Sequence, residues 1–277
     1  MGGNILYPDE LKTIAAKIRL LALEGIHQAG SGHTGGSLSV AEMLSVLLFD
    51  KMQINPDQPD DPGRDRLVLS KGHAAPAYYA ALALRGYFPE SDLRRLRQLG
   101  SHLQGHPSMT RTKGVDMSTG SLGQGLSAAN GMAIAGKYHK RNYHVYCICG
   151  DGELQEGQIW EAAMTAAHYK LDNLTVFIDH NHLQIDGRTE SVMNVEPVGD
   201  KFRAFGWNVG EADGHDVEAI RKSIEKTRDC KAVPSVIICN TIKGKGVSFM
   251  ENQVGWHGLA PDDNQYEQAV KELREGI

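Results

Sequence analysis

Two kinds of pattern alternate along the chain. In "ELKTIAAKIRLLALEGIHQAG" apolar residues recur at helical spacing (Ile14, Ile18, Leu21), and Gly30 supplies the stop. "SVAEMLSVLLFDKM" predicts a second helix with Ser39 as its N-cap. "DRLVLSKGHA" reads as a short strand and a turn that lead into the helix "APAYYAALALRG". The Ala/Gly-rich stretch 121–138 predicts a helix with sides small enough for close packing. Strand 144–149, helix 156–170, strand 174–179, strand 207–212, helix 215–228 and strand 235–241 follow. "DDNQYEQAVKELREG" closes the pattern as a helix capped by Asp262 or Asp263. The runs "LTVFID" and "SVIIC" are apolar throughout, as strands covered on both faces are. This alternation implies an α/β fold, a mostly parallel sheet with helices on both faces. With no repeat or linker in view, residues 1–277 are expected to form one domain.

In such sheets ligands bind beyond the carboxyl ends of the strands. One predicted strand ends in Gly150-Asp151-Gly152, another in Asp179, Asn181 and Asp186. Asp151 and Asn181 are separated by one crossover helix and can converge on one point. Together they offer hard oxygen ligands too few to close a cage, which suits Mg²⁺ or Ca²⁺ completed by phosphate oxygens and water. The glycines admit a phosphate close to the backbone, and amides opening the next helix can face it. An acidic turn that merely caps a helix fits the same three residues.

Composition narrows the field. A net charge of −5 gives no basic field for nucleic acid or an anionic membrane. "MGGNILYPDELK" has no leader pattern, and Leu6 stands where a myristoylation signal wants Ser or Thr. Cys147 and Cys149 lie two apart in a predicted strand and so share a face; with Cys230 and Cys239 they form no CxxC pair, and buried reduced thiols of a cytoplasmic protein are expected. "GSGHTG" and "GQGLSA" resemble dinucleotide fingerprints, but neither follows a strand, which disfavours a nicotinamide enzyme. Of twelve histidines, His33, His73, His106 and His257 sit beside glycines in predicted loops, a distribution expected where imidazoles reach a ligand. His180 and His182 could add zinc ligands, but no HExxH pattern or Cys/His quartet supports that.

Taken together, "SGHTGGSLS", "LSKGHAAPAYYA", "QGHPSM", "STGSLGQGLS", "GDGELQEGQIWEAAMTAAHYKLDNLTVFIDHNHLQIDG" and "TIKGKGVSFMENQVGWHG" resemble transketolase in family order over nearly the whole chain. Thr34 and Lys113 depart from it, standing where prolines are frequent in the family. The resemblance implies thiamine diphosphate as cofactor and transfer of a two-carbon ketol unit from a ketose phosphate to an aldose phosphate. The family's subunits combine diphosphate-binding, pyrimidine-binding and C-terminal domains, and this chain matches only the first. It is therefore expected to work with a second chain carrying the pyrimidine-binding domain and its activating glutamate, as a heterotetramer of two plus two. A related transferase for a modified sugar and a non-catalytic cofactor-binding partner are the alternatives.

Position by position, the resemblance implies Asp151, Asn181 and the Leu183 carbonyl as ligands of Mg²⁺, with Ca²⁺ also accommodated. It implies Gly152, His73 and Lys243 at the diphosphate with Lys71 nearby, and the backbone of Gly120 and Leu122 at the aminopyrimidine. Ile185 and Ile242 would line the thiazolium pocket. His33, His257 and His106, with His102 beside them, would face the sugar. Glu156 and Glu161 would lie at the interface linking two active sites, and helices 121–138 and 156–170 would supply an apolar docking face.

Overall fold

The structure, a computed structural model, describes residues 6–275; the sequence reading of residues 1–5 lies outside them. Helix α1 (Pro8–Ala29) leads to a short α2 (Thr34–Leu38) and α3 (Ala41–Val46), then to strand β1 (Arg66–Leu69) and α4 (Ala75–Arg85). A long loop precedes α5 (Gln124–Tyr138), β2 (Val145–Gly150), α6 (Gly157–His168) and β3 (Leu174–His180). Two-residue strands β4 (Leu183–Gln184) and β5 (Gly187–Arg188) form a hairpin, followed by α7 (Thr189–Val192) and α8 (Val198–Ala204). The chain continues through β6 (Asn208–Asp213), α9 (Val217–Asp229), β7 (Ser235–Asn240) and α10 (Asp263–Glu275).

The main sheet is parallel throughout, in the order β1-β2-β3-β7-β6. Side chains alternate between its faces. Tyr146, Ile148, Phe177, Ile237 and Cys239 meet α1, α3, α4 and α9 on one side. Val145, Cys147, Cys149, Val176 and Ile178 meet α5, α6 and α8 on the other. The two thiols of β2 thus share a face as expected, their sulfurs 3.8 Å apart and both free.

Local chemistry sets the helix ends. Gly30, at φ +59°, ends α1 in the left-handed conformation open to glycine without strain. Asp216 Oδ1 caps α9 by accepting from the N–H groups of Glu218 and Ala219, at 2.8 and 3.2 Å. Asp262 takes the corresponding role at α10, accepting from Gln265 N at 2.9 Å.

Ser39 does not cap a helix. Its Oγ donates to Asp179 Oδ2 at 2.7 Å, because a buried carboxylate competes for the hydroxyl, and α3 starts two residues later at Ala41. The glycine-rich stretch before it, expected as loop, winds into α2, with all five residues buried.

Candidate active site

Four strand ends build the site. β1 runs out into Ser70-Lys71-Gly72-His73, β2 into Asp151-Gly152, β3 into Asn181 and β7 into Thr241-Ile242-Lys243. Between them opens a cleft of about 330 Å³. Of the residues named above, Lys71, His73, Leu122, Asp151, Gly152, Glu156, Asn181, Leu183, Ile185, Asp186, Lys243 and His257 line it. Gly36, Gly150, Glu153, Gln155 and Gln184 complete the wall.

At its floor Asp151 is 1 % exposed. Its Oδ1 accepts from Gly152 N at 2.8 Å and its Oδ2 from His182 N at 2.5 Å. Burial, helped by the nearby charge of Asp179, pushes its carboxyl up to about 6. A carboxylate held so far from water needs a cation to stay charged. Asn181 stands beside it, its Oδ1 accepting from Leu183 N at 3.1 Å and retaining a second lone pair. Gly152 has to be glycine here: a Cβ would come 2.7 Å from the Gln184 Cβ.

Asp179, which the sequence placed among the ligand candidates, is instead fully buried behind the cleft. It pairs with Lys71 and accepts from Ser39, Thr241 (2.5 Å) and Asn181 Nδ2 (3.2 Å). Burial alone would raise its carboxyl, but Lys71 and these donors hold it below the usual carboxylate range. The cation of Lys71 is therefore taken up by Asp179 and by the Gly36 carbonyl, 3.2 Å away, and supports the cleft from behind.

Over the cleft lies a cluster of imidazoles. The His33 ring is 5.4 Å from His73, 5.4 Å from His257 and 5.9 Å from His106, and His73 is 5.0 Å from His257. Burial and the surrounding cations lower all four: His33 to about 4, His257 to about 3, with His73 and His106 also depressed. Lys243, 2 % exposed, donates to His257 Nδ1 at 2.9 Å. Burial and the charge of Lys71 bring its ammonium down to about 8. The cluster is thus a set of neutral imidazoles among crowded cations, an arrangement that calls for an anion.

Four of the named residues are not part of the cleft wall. His102 turns away from the cluster, its Nε2 3.1 Å from Asp92 Oδ2 and its ring edge-on to Phe88. Ile242 is not part of the cleft wall; its N–H donates to His215 Nε2 at 2.8 Å. Glu161 is exposed on α6, away from the cleft. Gly120 is outside the wall as well but adjoins it, against His106 and Gly72. Asp151, His180 and His182 are close enough to share a cation. Both ring nitrogens of His180 are already engaged, however, with Glu196 (2.7 Å) and Asn240 (3.2 Å).

Two groups at the site escaped the motif reading. Glu153, 2 % exposed, accepts from Ser70 Oγ, Gly123 N (2.9 Å) and Gly150 N (3.1 Å), tying β1, β2 and the start of α5 together beneath the cleft. Its place three residues after the first glycine of GDG was the only signal. Arg97 reaches the imidazole cluster from the loop before α5, and nothing distinguishes it in sequence from the arginines around it.

Residues 11–275 match the family model of the transketolase thiamine diphosphate-binding domain. The chain belongs to the transketolase family. It is 50 % identical over 264 residues to the 6-deoxy-6-sulfo-D-fructose transketolase subunit SqwG of Clostridium sp. (strain MSTE9), covering 95 % of this chain and 96 % of that one. An apulose-4-phosphate transketolase subunit of Phocaeicola vulgatus is 43 % identical, with 97 % and 95 % covered. The solved transketolase of Campylobacter jejuni superposes with a TM-score of 0.92 at 35 % identity, covering 97 % of this chain but 43 % of its own. The transketolase-family chain thus spans about two-fifths of that longer relative and nearly all of the two relatives named as subunits. No helix among the described residues is long and apolar enough to cross a membrane.

Proposed function

We propose that this chain is the cofactor-diphosphate subunit of a two-chain transketolase, passing a two-carbon ketol unit from a ketose to an aldose phosphate. The observation that carries the reading is the buried, cation-demanding Asp151 facing Lys243 and His73 across one cleft. That arrangement fits a magnesium diphosphate: an acid for the metal and donors for the phosphates. Asp151, Asn181 and the Leu183 carbonyl would hold Mg²⁺; Gly152, His73 and Lys243 would hold the diphosphate.

When bound, thiamine diphosphate supplies the electron sink that lets the carbon–carbon bond of the ketose break. Ile185, 62 % exposed in the cleft, offers the apolar surface a thiazolium needs. Leu122 and Gly120 would present backbone groups to the aminopyrimidine. His33, His257 and His106 would donate hydrogen bonds to sugar hydroxyls and to the oxygen on which charge develops, a contribution of about 3–4 kcal/mol per donor. Neutral imidazoles suit that task, since they donate without competing for the metal's anion.

The partner would be a chain with the pyrimidine-binding domain and its glutamate, in a two-plus-two assembly. Support comes from α5 and α6: Tyr138 and Met164 stand exposed on them, Tyr169 is exposed just past the end of α6, and Gly131 and Gly157 have open space above them. Glu156 and Glu161 lie on the same stretch. The names of the subunit relatives favour a modified sugar as donor over an ordinary pentose phosphate.

A coupled assay tests this with the chain alone and with its candidate partner, given thiamine diphosphate, Mg²⁺ and ribose 5-phosphate as acceptor. Xylulose 5-phosphate and 6-deoxy-6-sulfofructose serve as alternative donors. Turnover only with the partner is expected. Turnover by the chain alone would overturn the two-chain reading.

A further inference from the structure

Arg97 is held in an unusual way. Its backbone adopts φ +60°, a left-handed conformation rare for a residue with a long side chain, and its N–H donates to Leu103 O at 2.9 Å. The guanidinium lies against Gly105, where a Cβ would come 3.2 Å from its central carbon. Nη1 donates to Ser31 Oγ at 2.8 Å, and Nη2 stands 3.4 Å from His33 Nδ1. Nε is buried without a partner among the described residues. A strained backbone and an unsatisfied nitrogen are tolerated here to bring one planar cation against one ring nitrogen.

The tautomer of His33 follows from the donor inventory. A guanidinium has only N–H groups and cannot accept a hydrogen bond. A proton on Nδ1 would face another proton, so the neutral ring carries its hydrogen on Nε2. That nitrogen makes no hydrogen bond among the described residues. His257 is fixed the same way, with Lys243 at its Nδ1. The groups facing His33 from all sides are Arg97, His106, Lys243, Lys71, His73 and His257; none carries a negative charge that would favour a second proton.

We propose that Arg97 is a positioning residue that locks His33 as a neutral Nε2–H donor aimed at the bound sugar. The sugar in that statement rests on the transketolase reading; the tautomer does not. With Arg97 in place, His33 remains an uncharged donor throughout the neutral range.

Long-range ¹H–¹⁵N spectra of the full chain, labelled with ¹⁵N-histidine, read this directly, with His33→Asn giving the assignment. Expected is an unprotonated Nδ1 and a protonated Nε2 at neutral pH, with titration only near pH 4. Arg97→Met should mix the tautomers and raise the midpoint by about one unit or more. Arg97→Lys should keep the midpoint low. An Nδ1–H form in the wild-type chain, or an Arg97→Met spectrum unchanged in tautomer and midpoint, would overturn the proposal. Should Arg97→Met not fold, Arg97→Gln, whose amide can donate or accept, takes its place, with mixed tautomers and a raised midpoint again expected. Since the readout is a ring nitrogen and not turnover, correct tautomers in a chain without transketolase activity would count against the proposed function only.

Discussion

At the scale of single residues, the back of the site is held by two opposite charges kept out of water together. Lys71 and Asp179 are 1 % and 0 % exposed, and each is tolerable only because of the other. Removing the ammonium with Lys71→Met should destabilise the chain by about 3–5 kcal/mol, since it strands a buried carboxylate. Lys71→Met with Asp179→Leu should recover much of that loss, which urea unfolding of the single and double variants would measure. The family resemblance implied a place for Lys71 near the site, through a motif that is local. Its pairing with Asp179 was not legible, since 108 positions separate the two and only the adjacency of β1, β2 and β3 brings them together. Ser39 makes the same point: read locally it is an N-cap, but a carboxylate 140 positions away takes its hydroxyl.

At the scale of elements, strands were the most legible, because a parallel strand covered on both faces has to be apolar throughout. β2, β3 and β7 fall within a residue of expectation at each end. The β4–β5 hairpin was not foreseen, having only two residues per strand, Gln184 opposite Gly187 and Leu183 opposite Arg188. It nonetheless carries Leu183 and flanks Ile185, so a short irregular stretch supplies part of the cleft. α5 and α6 show the converse, regular helices whose outer faces lack a neighbour among the described residues. Met164→Glu on α6 should leave the fold intact, as Met164 is 57 % exposed. It should weaken association with the partner chain by at least about tenfold, a loss of about 1.4 kcal/mol or more. Sedimentation of the mixed chains would show it, and an unchanged complex would move the interface to another face.

At the scale of the molecule, two pH effects oppose each other. The imidazoles have folded-state values below their unfolded ones, so the unfolded chain binds more protons as pH falls. Their contribution is therefore present above about 6.5 and is lost as pH drops towards 4 for His33 and 3 for His257. Asp151 runs the other way. Its carboxyl is raised from 3.8 to about 6, so its contribution is present below 3.8 and is lost as pH rises through 6. Metal binding needs the ionised acid and should recover that loss. Mg²⁺ with thiamine diphosphate should raise the melting temperature strongly at pH 7.5 and weakly at pH 5, and Asp151→Asn should abolish the difference. Scanning calorimetry at the two pH values checks this; an equal shift at both would remove Asp151 from the metal site.

The covering of the sheet by helices on both faces has a further consequence. Cys147, Cys149 and Cys239 are 0 % exposed, and only Cys230, beyond the end of α9, lies near the surface. An oxidant meets one sulfur on the folded chain and four on the opened one. Oxidative damage to the sheet is then not an independent hazard but a toll taken at each opening, and whatever keeps the strands closed also keeps their sulfurs reduced.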